Sequence, residues 1–220
     1  MACRTYPLRS NLTGDYRTPS LPEHLRRRLA GPLPGLEAQL RLSPQPRWWP
    51  AEGDPLLPAA ALLLLYLRND EWYVPLTLRR SGLRHHGGQV SLPGGRLDHP
   101  DETIEQAALR EAHEEIGIAP TTVEILGRLT PLPIAVSGHL LSPVIGVTGT
   151  PQFVIAEAEV DRLIEVPVAM LAHRDSIAAE QRVRPRAPHD VITVPYFDIS
   201  GTKVWGATAM VLAEFLALLE

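Results

Sequence analysis

Two apolar runs stand close together in the first third of the chain. Ala59 to Leu67 is continuously apolar and is bounded by Pro58 and by the polar stretch Arg68-Asn69-Asp70-Glu71. Trp72 to Leu78 is the second. Runs of this kind around a short polar segment predict a β-hairpin. The stretch from Arg79 to Gly88 is basic and glycine-rich and reads as a loop. Gln89 to Leu92 is a short strand, leading into a turn at Pro93-Gly94-Gly95. An acidic loop follows, with Asp98, Asp101 and Glu102, and then a helix that ends at Ile116 and is closed by Gly117.

Further on, Val123 to Leu129 and Leu140 to Val147 read as strands, separated by a loop marked by Pro131, Pro133 and Gly138. Glu157 to Val166 sets acidic residues among apolar ones. Met170 to Ala179 is expected to be a short helix. Pro185 to His189 is expected to be a loop able to cover a site. Val191 to Ile199 reads as a strand with a turn at Gly201, and Gly206 to Leu219 as an apolar C-terminal helix. Trp205 and Tyr196 are expected in the core. At the other end, residues 1–19 lack periodicity. Ser20 to Glu23 looks like a capping box opening a helix from Pro22 to Leu29, stopped by Pro32 and Pro34. Arg26, Arg27 and Arg28 then suit the negative end of that helix dipole. Trp48, Trp49 and Pro50 are expected to pack this arm on the rest, with stacking on a ligand the lesser alternative. The division is an arm over residues 1–50 and a main domain over 51–220, with mixed strands and two substantial helices.

Composition narrows the picture. A 220-residue chain with 45% hydrophobic residues can build one real core. The net charge of −4 argues against bulk nucleic-acid binding. A single cysteine, Cys3, rules out an internal disulfide and suggests a reducing, cytoplasmic setting. The longest apolar run, Pro58 to Leu67, is short of the ~20 residues that cross a bilayer. A homodimer is compatible with all of this.

The chemistry gathers on the central helix. Residues three and four apart share a helix face, so Glu111 sits over Glu114 and Glu115. Like charges at that spacing weaken a helix, and a hard divalent cation would neutralise them. A solvated acidic face is the bland alternative. The signature Arg110-Glu111-x-x-Glu114-Glu115-x-Gly117-Ile118, with Glu102 and Gly95 upstream, resembles the Nudix box. The resemblance implies the Nudix fold, an α/β (α+β) class α/β/α sandwich with a mixed β-sheet. It also implies hydrolysis of a nucleoside diphosphate linked to another group, with Mg²⁺ or Mn²⁺.

Six residues separate Gly95 from Glu102, one more than in the usual box. That longer loop is similar to the one in coenzyme A pyrophosphatases, which carry a second signature upstream. Here it is matched by Leu76, Thr77, Arg79, Leu83, Arg84, His86, Gly88, Gln89, Val90, Pro93, Gly94 and Gly95. Arg80 stands where the subgroup has serine, and Leu92 where it has phenylalanine. Val194-Pro-Tyr-Phe197 and Val204-Trp-Gly206-x-Thr208 also resemble it, so the likeness runs over residues 55–220.

The resemblance implies roles. Glu111, Glu114 and Glu115 are the expected metal ligands. Arg110 orients a carboxylate by an ion pair rather than touching substrate, and Glu102 is structural. The general base is either a helix glutamate or Glu159 on a distant loop; a plain surface acid is the alternative for Glu159. Arg79, Arg84, His86, Gln89, Gly94 and Gly95 are the expected substrate-binding residues. Arginine suits phosphate because its fork bonds two oxygens at once. The leading reading is a small-molecule hydrolase splitting coenzyme A or acyl-CoA into 4′-phosphopantetheine and adenosine 3′,5′-bisphosphate. ADP-ribose or another nucleoside diphosphate derivative is the alternative substrate, with Pro133 a weak point in its favour. A non-catalytic Nudix-fold binding module ranks last, because the box glutamates are all present.

Overall fold

The computed structural model describes residues 20–82, 86–184 and 187–220, without the side chains of Arg174 and Pro188. Its centre is β1 (Leu57–Arg68), whose apolar run is buried on both faces. Ala60, Leu62 and Leu64 point one way, and Ala61, Leu63 and Leu65 the other. A strand with no polar face must be sandwiched, and two helices cover it. On one side lies α3 (Ile104–Ile116), through Ala107, Ala108, Ala112 and Ile116. On the other lies α5 (Gly206–Leu218), buried around its whole circumference from Thr208 to Leu218.

The expected hairpin is present. β1 pairs antiparallel with β2 (Glu71–Arg79), and Asn69 and Asp70 both adopt positive φ in the two-residue connection. That left-handed pair matches the twist of the flanking strands. β1 also runs parallel to β7 (His139–Thr148), from Leu57 beside His139 to Tyr66 beside Thr148. The sheet is therefore mixed, in the order β3-β2-β1-β7-β5, with β3 (Val90–Ser91) and β5 (Glu124–Arg128) at its ends. β4 (Gly94–Arg96) joins β1, β6 (Leu132–Ile134) joins β7, and β8 (Val160–Pro167) joins β2. The α/β/α sandwich is as expected from the sequence. Among the described residues no helix is long and apolar enough to cross a membrane.

Several local expectations are corrected. The first helix, α1 (Leu21–Leu29), starts without a capping box: Ser20 has helical backbone angles and makes no capping hydrogen bond. A second helix, α2 (Gly35–Leu40), follows Pro34, which serves as its N-cap rather than only as a stop. Leu21, Leu25 and Leu42 join the same core as α5. Trp48 and Trp49, expected to pack the arm down, remain 43% and 48% exposed. The Pro93-Gly94-Gly95 turn is instead the start of β4, and the loop around Pro133 contains β6.

The expected helix over 170–179 is shorter and earlier: α4 spans Val168–Ala172. The helix-forming residues that follow belong to β9 (Ile177–Arg184), because pairing with β10 (Ala187–Ile199) overrides their propensity. The loop expected over Pro185–His189 falls partly in β10, and residues 185 and 186 lie outside the described residues. β11 (Thr202–Trp205) completes a small second sheet, β11-β10-β9. Tyr196 and Trp205 are half-buried there, under the cations of Lys203 and Arg182, rather than in the core.

Candidate active site

The central helix begins with a capping box that the acidic loop conceals. Thr103 accepts from the Gln106 backbone N–H at 3.2 Å, and Gln106 accepts from the Thr103 N–H at 2.8 Å. The spacing Thr-x-x-Gln was readable and would have fixed the helix start. Gly117 ends the helix at φ 74°, where the chain needs a left-handed residue. The following loop returns along the helix end, with Ala156 N–H donating to Glu115 O and Val154 N–H to Ile116 O, each at 3.0 Å. This return carries Glu157 and Glu159 back beside Glu115.

Arg110 is the hub of the box. It reaches Glu102 at 2.9 Å, Glu111 at 2.8 Å, Glu114 at 3.4 Å and Asp98 at 3.5 Å, and donates to the Arg96 carbonyl at 2.8 Å. Its role is to lock the acidic loop onto the helix. Glu102 accepts from the Asp98 N–H as well, and the Arg110 hydrogen bond holds its carboxyl below the ordinary range.

The three box glutamates stand together on α3, where the charge of Glu114 acts on Glu111 and that of Glu111 on Glu115. Each is held by an arginine. Arg110 lies between Glu111 and Glu114, and Glu115 pairs with Arg79 at 3.0 Å. Glu114 turns outward, with its side chain 56% exposed. Among the described residues no group of three or more acidic, histidine or cysteine side chains stands ready-made around a cation.

Glu111 and Glu115 nonetheless carry marks of a cation site. Burial raises the Glu111 carboxyl against the pull of Arg110. Burial pushes Glu115 up to about 7, opposed by Arg79 and reinforced by the charges of Glu111 and Glu159. Its second oxygen, Oε2, is buried without a hydrogen-bond partner. A buried carboxylate oxygen left without a donor is costly, and a divalent cation would satisfy it. Gly95 presses its backbone on the same spot: a Cβ there would lie 2.4 Å from Glu111 Oε1. The donor set is hard oxygen, which suits Mg²⁺ or Mn²⁺.

The strand before the box lines the other wall. Arg79 ends β2, with its N–H on Gln89 O and its carbonyl on the Gly88 N–H. His86 adopts positive φ and hydrogen-bonds Gln89 Oε1 through Nδ1 at 2.9 Å. Both therefore shape the β2–β3 connection; His86 itself is exposed. Gly94 is needed for close approach, since a Cβ there would meet Ala60 O at 2.4 Å. Glu159 is exposed at the rim, close enough for its charge to act on Glu115. Arg84 lies outside the described residues. Sequence reasoning did not find the Arg79–Glu115 pair, because nothing in spacing joins residues that far apart.

A mixed sheet thus lies between two helices, with this acidic helix and its glycine strand on one face. The NUDIX domain matches residues 56–186, and the chain belongs to that family as a Nudix hydrolase acting on nucleoside diphosphate derivatives. Nudix hydrolases generally use divalent metals such as Mg²⁺ or Mn²⁺. The chain is 36% identical over 156 residues to the "Uncharacterized Nudix hydrolase NudL" of Escherichia coli strain SMS-3-5 / SECEC, covering 70% of this chain and 79% of that one. The protein of the same name from Shigella boydii serotype 4 strain Sb227 matches at the same identity and coverage. Among solved structures, the Nudix hydrolase RenU of M. smegmatis is 30% identical, with a TM-score of 0.46, over 53% of this chain and 73% of that one.

Proposed function

We propose that this enzyme hydrolyses the pyrophosphate bond of coenzyme A or acyl-CoA, giving 4′-phosphopantetheine and adenosine 3′,5′-bisphosphate. The observation that carries this reading is the pairing of Arg79 with Glu115. Arg79 belongs to the stretch that resembles the coenzyme A pyrophosphatase signature, and it is built directly into the box. That pair ties the end of β2, where the resembling stretch begins, to the box helix.

Glu111, Glu114 and Glu115 would hold the divalent cation, which supplies charge neutralisation at the phosphoryl oxygens and an acidified water. Arg79 and Arg84 are assigned to the substrate phosphates, and Gln89 and His86, hydrogen-bonded to each other, to the substrate as well. Arg110 keeps Glu111 in place. Glu159 is assigned as general base or additional ligand, on the strength of its position beside Glu115.

The test is a side-by-side hydrolysis screen of coenzyme A, acyl-CoAs, ADP-ribose and NADH with Mg²⁺ and with Mn²⁺. Faster cleavage of coenzyme A or its thioesters supports the reading, and much faster cleavage of ADP-ribose overturns it. Glu111→Gln separates catalysis from mere binding: turnover should fall by orders of magnitude while ligand affinity persists.

A further inference from the structure

A pocket of about 530 Å³ is lined by Arg47, Trp48, Trp49, Leu56, Ala135 and Gly138 among others. That volume lies within the range of small-molecule sites. Two indoles left nearly half-exposed at its wall are unusual for residues that large. Arg47 lies over the Trp49 ring at 4.7 Å, and Arg184 over the Trp48 ring at 4.3 Å. One face of each indole is thus covered by a guanidinium.

The charge here is uneven. Arg184 is paired with Asp190 at 2.5 Å. Asp54, the acid on the lining, accepts from the Ala51 N–H at 2.8 Å. Arg47 bonds only to neutral groups: the Pro133 carbonyl at 2.6 Å, Ser43 and Met210. Its Nε is buried with no hydrogen-bond partner, and among the described residues it is in no ion pair. An uncompensated, partly desolvated guanidinium beside open aromatic faces calls for an anionic, flat ligand.

The position of the pocket names which ligand. Gly138 lines the pocket and accepts the Leu57 N–H at 2.9 Å. The next residue, His139, receives a hydrogen bond from Arg96 Nε at 2.9 Å, and Arg96 follows Gly95, which touches Glu111. Arg96 stands opposite Ala59 on β1, two residues from Leu57. That is roughly 7 Å of strand, a distance that a phosphate on the ribose of a base seated in the pocket can span. Arg96 has no carboxylate partner among the described residues.

We propose that the Arg47–Trp48–Trp49 pocket seats the nucleobase end of the substrate, and that Arg96 and His139, next in the chain after Gly138, hold a phosphate on the ribose. The ligand is an adenine nucleotide: the base stacks on the free indole face, and the anion lies between the pocket and the box. The phosphate at Arg96 rests on the coenzyme A reading; the base site does not.

Isothermal titration of the full-length wild type with adenosine 3′,5′-bisphosphate, AMP and 4′-phosphopantetheine tests this without turnover. Both adenine nucleotides should bind. Trp49→Ala should weaken both by about tenfold or more, and Trp49→Phe should restore most of the affinity. Arg96→Gln should erase the advantage of the bisphosphate over AMP. Equal affinities in wild type and Trp49→Ala, or no binding of either nucleotide to wild type, would overturn the site. Phosphopantetheine binding that depends on Trp49 would overturn it as well. If wild type prefers ADP-ribose in the hydrolysis screen, the coenzyme A reading falls, while the Trp49 effect on AMP still decides the base site.

Discussion

Arg79 Nη1 lies 3.0 Å from Glu115 Oε1, so the end of β2 and the last turn of the box helix meet in one ion pair. Glu115 is almost completely buried, and its other oxygen has no partner. One arginine therefore offsets only part of the cost of burying that carboxylate.

This gives the metal-free protein a defined pH response. The Glu115 carboxyl sits at about 7 when folded, above its ordinary value, because burial favours the neutral form. Its stabilising contribution is full below pH ~4.5 and is lost as pH rises through about 7. Urea unfolding with chelator present should show stability falling across that window by up to about 3 kcal/mol from this group. Glu115→Gln should remove that slope. An unchanged slope in the variant would assign it elsewhere.

The two box glycines should fail in different ways. A methyl group at Gly94 would meet the Ala60 carbonyl and the Ala61 backbone, which cannot yield without moving β1. Gly94→Ala should cost stability, about 1–3 kcal/mol by overpacking. The atoms nearest a methyl group at Gly95 would be those of the flexible Glu111 carboxylate. Gly95→Ala should leave the melting temperature nearly unchanged while displacing that carboxylate, with activity falling at least tenfold. Thermal melts and initial rates on the same two variants check both halves.

Arg110 touches four carboxylates, yet its strongest tie is to Glu102, through Nε and Nη2. Arg110→Lys keeps the charge and loses the fork, so it cannot hold Glu102 and Glu111 together. Its kcat should drop about 10–100-fold, the range for groups that orient a metal ligand. Glu102→Gln should show a similar loss, and the double variant should be no worse than either single one. Additive losses would mean that Glu102 acts on its own.

How far the sequence reached depended on the kind of information each feature uses. The hairpin, the buried β1 and both long helices follow from patterns within a dozen residues, and those were legible. The placement of Glu111, Glu114 and Glu115 on one helix was legible too. The ion pair of Arg110 with a box carboxylate was expected too, but Arg79 was not, because it reaches Glu115 only through tertiary packing. β9 was hidden because Ala178, Ala179, Glu180 and Gln181 favour helix locally, and only β10 makes them a strand. Trp48 and Trp49 were legible only as packing or ligand-stacking residues, since the other side of their pocket comes from residues 135–138.

Glu214 supplies the last test. It is fully buried in α5 and accepts from the Gly35 N–H at 3.0 Å, Gln39 Nε2 at 2.7 Å and the Thr130 N–H at 3.2 Å. These donors come from α2 and from the turn between β5 and β6. One carboxylate thus fastens the N-terminal helices to the main sandwich. Glu214→Ala would strand the buried Gln39 amide and two part-buried backbone N–H groups. The expected cost is about 3–5 kcal/mol, concentrated where α2 docks. Hydrogen exchange should show faster exchange over residues 35–40 in that variant than in wild type, with β1 still protected. Because Arg47 follows α2 on the same segment, Glu214→Ala should also weaken adenine-nucleotide binding, even though Glu214 is remote from the Trp48–Trp49 pocket. Unchanged protection over residues 35–40 would mean that the apolar contacts of Leu21, Leu25 and Leu42 hold the segment by themselves.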